Sequence, residues 1–331
     1  MRVLVLSHRD VVAALPPRAC AESMAGVLAA RARGETYMPL RSIMAAPGAA
    51  GFMGLMPSWR GGQPDRSAVF ALKAICVIPD NPARGLDAHQ GTVTLFDGET
   101  GVPTAILDAS AITAIRTAAV TAVATGVLAR AGARTLAILG AGVQGQAHLR
   151  ALAGVRDFGQ VRVYAPTRSH VQALIDGSGL AGTELIAAAS AEDAVRGADV
   201  VVAVTNAREP VLQHAWLKPG AHVNAVGAST PRAKEIDTAT VAASALFCDS
   251  RESVLAEAGE FQLAVTEGLI GGEEHIRAEL GEVLAGTAAG RRDDAELTLF
   301  RSLGIAVEDL AAAETAVAAA RAQGLGTEVE L

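Results

Sequence analysis

The sequence contains few aromatic residues and few cysteines. Aromatic residues make up 3% of its 331 positions although apolar residues make up 50%, so the core must be built mainly from Ala, Val and Leu. Such small side chains allow helices to pack closely. The three cysteines, Cys20, Cys76 and Cys248, lie far apart and form no C-x-x-C pair. They fit neither a disulfide framework nor a zinc site, and they favour a reduced, cytosolic protein.

The chain also lacks an excess of basic charge and a long apolar run. Its formal net charge is −7, which argues against a general nucleic-acid-binding protein because such a protein needs a basic surface. The longest weakly polar run, residues 117–129, ends at Arg130 and is too short to span a membrane. Charged residues at positions 8–10 follow the first short apolar run, so we expect no signal peptide there. The seven histidines show no metal-binding spacing.

A glycine-rich turn lies in the middle of the chain. An apolar run, residues 136–139, leads into Gly140-Ala141-Gly142-Val143-Gln144-Gly145, and a helix-compatible run follows. In such a G-x-G-x-x-G turn, Gly140 permits the tight turn, Gly142 lets the backbone approach a pyrophosphate, and Gly145 allows close packing of helix on strand. The phosphates then lie against free N–H groups at the helix N-terminus. The pattern therefore predicts a dinucleotide-binding turn.

Strands and helices alternate after this turn. Apolar runs at residues 161–165, 184–187, 199–205, 222–227 and 245–248 predict further strands, and the chain is predicted to be helical after that. This order predicts an α/β fold with a Rossmann-type, doubly wound parallel sheet.

The part of the chain before the turn predicts a second domain that is mainly β-structure after two helices. Residues 92–96 and 102–107 flank a DGETG turn and predict a hairpin. A long helix at residues 111–131 then leads to the glycine turn, so we place the domain change near residue 118. The Ala-rich helix at residues 307–322 is expected to return to the first domain.

Lys73 is the only charged residue in the apolar strand predicted at residues 69–78. An ammonium group is costly in such surroundings unless it is paired or faces a polar cavity. The alternative is a lysine on an edge strand whose head group reaches solvent. Because the strand has almost no polar alternation, both of its faces need cover. We therefore expect an obligate dimer.

Arg41, in an extended segment at residues 37–43, and Arg116 are each the sole charge in an apolar neighbourhood. Guanidinium groups bind carboxylates in a bidentate manner. With Lys73, the two arginines would form a pocket for an anionic substrate against a nicotinamide. The alternative is that either arginine is a surface or domain-linking charge. Among the histidines, His89 is expected near a site, and His148 is expected to be structural.

The second predicted Rossmann strand lacks the acidic residue that usually follows it. A NAD-binding unit places Asp or Glu there to accept hydrogen bonds from the ribose hydroxyls. No acidic residue occurs between Gln160 and Leu174, whereas Thr167, Arg168 and Ser169 offer groups that suit a 2′-phosphate. This predicts a preference for NADP(H), with NAD(H) possible. The alternative is that Arg168 points into solvent.

Taken together, these motifs resemble the ornithine cyclodeaminase/mu-crystallin family over nearly the whole chain. The resemblance is carried by Arg41, ALKAICVIPDNP around Lys73, His89-Gln90-Gly91, LFDGETGVPTAILDA, AIRTAA at residues 114–119, GAGVQGQAH, and LKPGAHVNAVGAS followed by CDSRE. It implies a homodimer in which the first domain, joined by the C-terminal helix, builds the substrate pocket and the interface. We expect a substrate-binding and dimerisation domain at residues 1–118 with 303–331, and a Rossmann NAD(P)-binding domain at residues 119–302.

The resemblance also implies roles for individual residues. Arg41, Lys73 and Arg116 would bind the carboxylate of an α-amino or α-imino acid, with Lys73 catalytic and close to the reacting nitrogen. The predicted cofactor-binding residues include those of the glycine turn and the candidates for a 2′-phosphate site. They are Arg116, Thr117, Gly140, Gly142, Val143, Gln144, Gly145, Thr167, Arg168, Thr205 and Ser229.

Two positions depart from the members that cyclise ornithine. Those members have an aspartate two residues after the glycine of NAVG, where this chain has Ser229, and a hydroxyl is a poor general base. Met53 lies in the glycine-rich stretch where a carboxylate would hold a side-chain amine, so it is predicted to line the substrate pocket. Ser229 is retained as a catalytic candidate. Both positions resemble the ketimine reductase and Δ1-pyrroline-2-carboxylate reductase branch.

The expected activity is therefore the NAD(P)H-dependent reduction of cyclic α-imino acids, such as Δ1-pyrroline-2-carboxylate and Δ1-piperideine-2-carboxylate. The expected partners are a small imino or amino acid and a second copy of the chain, without nucleic acid or membrane. Three alternatives stay open: ornithine cyclodeamination, oxidative deamination of the alanine dehydrogenase type, and a non-catalytic NADPH-binding protein.

Overall fold

The computed structural model describes residues 1–64 and 66–331. The chain divides into two compact units, Met1–Arg116 with Ile305–Leu331, and Thr117–Gly304. The expected domain change near residue 118 therefore falls close to a boundary between units. The functions assigned to the two domains stay predictions.

The first unit is built on a mixed sheet. Its elements up to the boundary are β1 (Arg2–Leu6), α1 (His8–Ala14), α2 (Pro17–Ala32), β2 (Thr36–Tyr37), β3 (Ser42–Met44), β4 (Phe52–Arg60), β5 (Val69–Val77), a 3-10 helix (Asn81–Arg84), β6 (His89–Asp97), β7 (Pro103–Asp108) and the start of α3 (Ala109–Leu128). The predicted hairpin is confirmed as β6 and β7, which pair antiparallel. Arg41 lies between β2 and β3 rather than in a continuous strand, because Pro39 cannot donate a ladder hydrogen bond.

The predicted long helix is α3, which begins in the first unit and continues into the second. Its N-terminus is capped by Asp108, whose Oδ1 accepts from the backbone N–H of Ala111 at 2.7 Å. With 20 residues, α3 is longer than the apolar run singled out in the sequence and is long and apolar enough to cross a membrane. However, 72% of its apolar window is buried inside the protein, which is typical of a core helix.

The second unit contains an entirely parallel sheet with helices between its strands. Its elements are β8 (Thr135–Leu139), α4 (Val143–Ala153), β9 (Gln160–Tyr164), α5 (Arg168–Asp176), β10 (Glu184–Ala187), α6 (Ala191–Val195), β11 (Val200–Ala203), β12 (His222–Ala225), α7 (Thr238–Ala243), β13 (Ala245–Cys248), α8 (Arg251–Glu257), α9 (Gly259–Thr266), β14 (Ile276–Glu279), α10 (Leu280–Leu284) and β15 (Thr298–Arg301). The strand order is β10-β9-β8-β11-β12-β15-β13-β14. The predicted Rossmann sheet is thus confirmed.

Two strands of this sheet correct the expectation of a purely helical region after residue 249. β14 and β15 have four residues each. β15 also enters the sheet between β12 and β13, out of chain order. Their sequences, IRAE and TLFR, contain at most two consecutive apolar residues, and so short an apolar run does not separate a strand from a helix.

The chain then returns to the first unit as α11 (Ala306–Gln323) and β16 (Thr327–Glu330). α11 packs against α1, α2 and strands β4, β5 and β6, and β16 pairs antiparallel with β1. β16 was not predicted. All four of its residues are exposed, so it lacks the alternation of buried and exposed residues that marks a half-buried strand.

The two faces of β5 differ within this unit. Val69, Ala71, Lys73 and Ile75 alternate along one face and are buried. On the other face, here called the outer face, Phe70 is 47% exposed, and the next alternate residues of β5 are half-buried. The outer face continues on β4 through Leu55 and Trp59, and the Trp59 and Phe70 rings lie 6.5 Å apart. An apolar sheet face is thus partly open in a single chain.

Candidate functional site

Lys73 is paired inside the first unit rather than directed to solvent. Its Nζ atom lies 2.8 Å from Oδ2 of Asp309, and both side chains are 2% exposed. It also lies 3.4 Å from Oγ1 of Thr113, to which it donates. β5 is flanked by β4 and β6, with Met56 and Val93 opposite Lys73. This position excludes the edge-strand alternative, and Asp309 supplies the negative charge that a buried ammonium group requires.

Arg116 is bound to the same acidic pair. Its Nε lies 2.9 Å from Oδ1 of Asp309, and its NH1 lies 2.7 Å from Oε2 of Glu308. The exposure of these three side chains does not exceed 5%. Glu308 and Asp309 occupy the first turn of α11, where the helix dipole favours negative charge. One carboxylate, that of Asp309, therefore joins two of the three predicted substrate-binding cations, Lys73 and Arg116.

The pKa values reflect this arrangement. Burial lowers the pKa of Lys73 to about 8, the charge of Asp309 opposes this change, and the charges of Arg116 and Arg41 add to it. Burial acts to raise the pKa of Asp309, but Arg116 and Lys73 more than offset it and hold the pKa below its ordinary value. At neutral pH Asp309 is therefore an anion and Lys73 is mostly a cation with a proton that it can release.

The remaining residues predicted for substrate binding differ in their placement. Arg41 is half-buried between β2 and β3, and its positive charge contributes to lowering the pKa of Lys73. Desolvation, followed by the charges of Lys73 and Arg116, lowers the pKa of His89, so this residue belongs to the same electrostatic environment. Met53 pairs with Cys76 on the outer face, so the structure does not bring it to Lys73. The residue directly opposite Lys73 is the buried Met56.

The sequence did not identify Asp309 and Glu308 as site residues. Both are acidic residues near the start of a helix, a position that the helix dipole alone explains. The available signal was the need of a buried lysine for an anion, but local sequence does not say which carboxylate supplies it.

The glycine turn of the second unit has the geometry that a dinucleotide requires. Gly140 adopts a φ of +116°, which favours glycine. A Cβ on Gly145 would lie 2.2 Å from the carbonyl oxygen of Gly140, so this glycine permits the close packing of α4. A Cβ on Gly142, the N-cap of α4, would project into open space, with no atom within 4 Å among the described residues. The turn thus leaves room for a pyrophosphate beside the helix N-terminus, and the residues present fit the group.

The other predicted cofactor residues of this unit lie around the same edge of the sheet. Because β8, β9, β11 and β12 are adjacent and parallel, the segments after their carboxyl ends meet at one edge. These segments contain Val143 and Gln144 after β8, Thr167 and Arg168 after β9, Thr205 after β11 and Ser229 after β12. Thr117, in contrast, is buried in α3. This edge is where dinucleotides bind in open parallel sheets.

Thr167 is the N-cap of α5 and Arg168 is its first residue, and both are exposed. In the part of the chain that the structure describes, the side chain of Arg168 has no hydrogen-bond or ion-pair partner. His148 shows the opposite environment. It is fully buried, with Nδ1 2.8 Å from the Gln144 carbonyl and Nε2 3.0 Å from Oγ1 of Thr121. Burial lowers the pKa of His148 to about 4, so a structural, uncharged role agrees with its surroundings.

A cavity of about 890 Å³ lies at the opposite, amino edge of the same sheet. Its lining includes His214, Lys218, Arg277 and Arg292, and within the described residues it contains none of the predicted site residues. We therefore do not assign it to the dinucleotide. No group of three or more His, Cys, Asp or Glu side chains suited to a metal ion occurs among residues 1–64 and 66–331.

Known proteins match the chain over most of its length. Ketimine reductase mu-crystallin from Mus musculus is 37% identical over 281 residues, which cover 85% of this chain and 84% of the relative. Delta(1)-pyrroline-2-carboxylate reductase from a strain of Bacillus cereus is 35% identical over 298 residues, which cover 89% of this chain and 90% of the relative. These relatives are named imine and ketimine reductases, which are oxidoreductases acting on C–N bonds.

Solved structures agree with the sequence relatives. Delta(1)-pyrroline-2-carboxylate reductase from Thermococcus litoralis, in complex with NADH and L-proline, superimposes with a TM-score of 0.93 at 35% identity, covering 99% of this chain and 100% of that one. An archaeal alanine dehydrogenase dimer with bound NAD superimposes with a TM-score of 0.92 at 30% identity, covering 100% of both chains. The profile of the ornithine cyclodeaminase/mu-crystallin family matches residues 1–323. The chain belongs to the ornithine cyclodeaminase/mu-crystallin family.

Proposed function

We propose that this protein is an NAD(P)H-dependent reductase of cyclic α-imino acids, such as Δ1-pyrroline-2-carboxylate and Δ1-piperideine-2-carboxylate. The observation that carries the proposal is the buried cluster in which Asp309 joins Lys73 and Arg116. With Arg41, whose charge acts on Lys73, the three cations exceed the two carboxylates of Asp309 and Glu308 by one positive charge. This excess suits a small carboxylate that also carries a basic nitrogen. The names of the sequence relatives support the same reaction class. The three widely separated cysteines support a cytoplasmic location.

The reaction adds a hydride and a proton across the C=N bond, so that the imine is reduced and the nicotinamide is oxidised. The nicotinamide, when bound, supplies the hydride. Arg41 and Arg116 bind the carboxylate and so fix the orientation of the imine. Lys73, with a pKa of about 8, holds a proton at Nζ that it can give to the imine nitrogen near neutral pH. Asp309 keeps Lys73 and Arg116 in place.

The alternative activities have less support. Ornithine cyclisation needs a group that handles the amine and the water, and the exposed hydroxyl of Ser229 is a weak base for this purpose. Oxidative deamination of the alanine dehydrogenase type would use the same carboxylate-binding cations, so only substrate comparison separates it. A non-catalytic NADPH-binding protein would not require a lysine whose pKa lies near neutrality.

The first prediction concerns the substrate. Cyclic imino acids should be reduced with a kcat/KM on the order of a hundredfold above that for pyruvate with ammonia, the scale on which pockets separate related small substrates. Loss of absorbance at about 340 nm, where the reduced nicotinamide absorbs, measures each rate with NADH and with NADPH. Ammonia release from L-ornithine with catalytic NAD should be absent. Faster turnover of pyruvate with ammonia would favour the dehydrogenase alternative, and no turnover of any substrate would favour the non-catalytic one.

The second prediction concerns the proton at Lys73. Lys73→Ala should lower kcat by roughly 10²–10⁴-fold, the usual contribution of a general acid. The fold should persist, since Asp309 keeps Arg116 as a partner. Because Lys73 is protonated below its pKa, kcat/KM of the parent enzyme should fall as the pH rises through about 8.

The negative charge of Asp309 raises the pKa of Lys73, and Asp309→Asn removes this charge. The pKa of Lys73 should therefore fall, and the decline of kcat/KM with pH should move to lower pH by roughly one unit. The charged groups around Lys73 are Asp309, Glu308, Arg116 and Arg41, and His89, whose pKa is lowered, is the nearby group that titrates. The variant changes only Asp309. Glu314→Gln is the matched control, since Glu314 lies on the same helix and pairs with Arg60 at 2.9 Å. A profile that shifts equally in both variants would contradict the role given to Asp309.

The third prediction is a preference for NADP(H) over NAD(H). It is supported by the absence of an acidic residue between Gln160 and Leu174 and by the exposed Arg168 at the start of α5. Arg168→Ala should lower kcat/KM for NADPH by roughly 10–100-fold, the equivalent of one charge-assisted hydrogen bond, and leave the value for NADH unchanged. Arg150→Ala, at an exposed arginine of α4, is the control. A preference for NADH that does not change in Arg168→Ala would contradict the proposed binding of the 2′-phosphate by Arg168.

We also propose that the protein is a homodimer assembled through the outer face. The support is the partly open apolar surface of β4 and β5, where Phe70 is 47% exposed. Contiguous apolar surface of this kind usually marks an association site. A dimeric structural relative points the same way.

The fourth prediction tests this assembly. Light scattering at micromolar concentration should give the mass of a dimer, and Phe70→Glu should shift the protein toward the monomer because it places a charge in the apolar contact. Leu269→Glu is the control, since Leu269 is a similarly exposed apolar residue of the second unit. A stable, active monomer in the parent protein would rule out the proposal.

A further inference from the structure

A single buried carboxylate joins the segments that follow β11 and β12. Glu235 is 0% exposed. Its Oε1 accepts from the backbone N–H of Thr205 at 2.5 Å and from the Thr205 hydroxyl at 2.8 Å. Its Oε2 accepts from the backbone N–H groups of Gly227 at 2.5 Å and Ala228 at 3.1 Å. One oxygen therefore holds each segment, and we call this arrangement the Glu235 clamp.

The clamp requires an ionised carboxylate. All four partners are donors, and only a carboxylate accepts at both oxygens without presenting a hydrogen of its own. A glutamine of the same size would direct its NH₂ group against one pair of donors. Burial raises the pKa of Glu235, while the hydrogen bonds from Thr205 and the charge of Arg301 act in the opposite direction. The donors thus offset part of the cost of burying the anion, and the pKa of Glu235 stays above its ordinary value.

The surroundings of the clamp hold the two segments in direct contact. A Cβ on Gly227 would lie 2.1 Å from the Thr205 carbonyl oxygen, so the backbones meet where a side chain would separate them. Arg301 holds the second segment by donating to the carbonyl of Ala225 at 3.0 Å and to that of Ala228. The segment after β12 is therefore fixed through its N–H groups by Glu235 and through its carbonyls by Arg301.

Thr205 is fully engaged within the protein. Its hydroxyl donates to Glu235 at 2.8 Å and accepts from the backbone N–H of Ala207 at 3.2 Å. The family resemblance implied that Thr205 contacts the cofactor. The hydroxyl gives its proton to the clamp, so the cofactor contact of Thr205 stays a prediction that relies on the remaining lone pair of this hydroxyl or on the backbone of the segment.

The clamp lies on one side of the dinucleotide-binding edge. β8, which leads into the glycine turn, has β9 on one side and β11 and β12 on the other. A dinucleotide spans such a switch point, with its adenosine half toward the second strand of the unit and its nicotinamide half toward the other side. The two clamped segments therefore form the wall on the nicotinamide side.

We propose that Glu235 is a positioning residue for the nicotinamide half of the dinucleotide. It acts through the backbone of the segments after β11 and β12 and does not touch the cofactor. The inference rests on the dinucleotide binding that the proposed function includes. Glu235 is not among the cofactor-binding residues predicted from the sequence.

The test separates the two halves of the cofactor. Calorimetric titration with NADH and with ADP-ribose, which lacks the nicotinamide, measures the binding of each. Glu235→Gln should weaken NADH binding by at least about tenfold, the loss expected when a charged hydrogen-bond acceptor is removed, and should change ADP-ribose binding by less than about twofold. Glu235→Asp keeps the charge opposite Arg301 but is too short to reach both segments. Glu235→Asp should also lose NADH binding selectively, and it can be measured in place of Glu235→Gln if that variant does not fold.

Asp199→Asn is the matched control. Asp199 is also buried and accepts backbone N–H groups, those of Arg134 at 2.8 Å and Thr135 at 3.0 Å, but it does so at the amino edge of the same sheet. This variant should lower the melting temperature without a selective change in NADH binding. Equal loss of NADH and ADP-ribose in both Glu235 variants, or no loss in either, would overturn the proposal. A parent protein that binds ADP-ribose but neither NADH nor NADPH would overturn the proposed function itself.

Discussion

The burial of Lys73 is the constraint on which the first unit depends. An unpaired ammonium in this apolar interior would lose its proton or destabilise the fold, and strands β4 to β6 place no carboxylate opposite it. The anion comes instead from α11, at the far end of the sequence. The return of the C-terminal segment to the first unit thus completes a charge pair that the site requires, in addition to adding packing area.

The same physical device recurs in the second unit. Asp309 joins side chains of β5 and α3, and Glu235 joins the backbones of two segments after parallel strands. In each case a buried carboxylate from a different part of the chain fixes two groups relative to each other. Each carboxylate is surrounded by donors, so its removal would leave buried donors unpaired at a larger cost than the bond itself contributes. Both positions therefore combine stability with the geometry of a site.

The sequence predicted the features that depend on local pattern. The glycine turn, the alternating strands and the hairpin are each encoded within a few consecutive residues, and the structure contains them. Asp309 and Glu235 could not be found in this way, because their partners are distant in sequence and no local periodicity marks them. Met53 was misplaced for a related reason: the strand register, which the sequence does not show, puts it on the outer face. β15 was missed because Leu299 and Phe300 are its only consecutive apolar residues, and its place between β12 and β13, out of chain order, is not encoded locally.

The balance of charges around Lys73 also explains why one counterion is shared between two cations. A carboxylate that paired with Lys73 alone would stabilise the ammonium more strongly and raise its pKa toward that of an ordinary lysine. A lysine with such a pKa is too weak an acid for efficient proton transfer near neutral pH. With no counterion, burial would leave the amine neutral and without a proton to give. Burial lowers the pKa of Lys73 to about 8, the charge of Asp309, which is shared with Arg116, opposes this change, and the charge of Arg116 adds to it. In the proposed reaction, the shared carboxylate thus keeps Lys73 charged enough to bind an anion and acidic enough to protonate an imine.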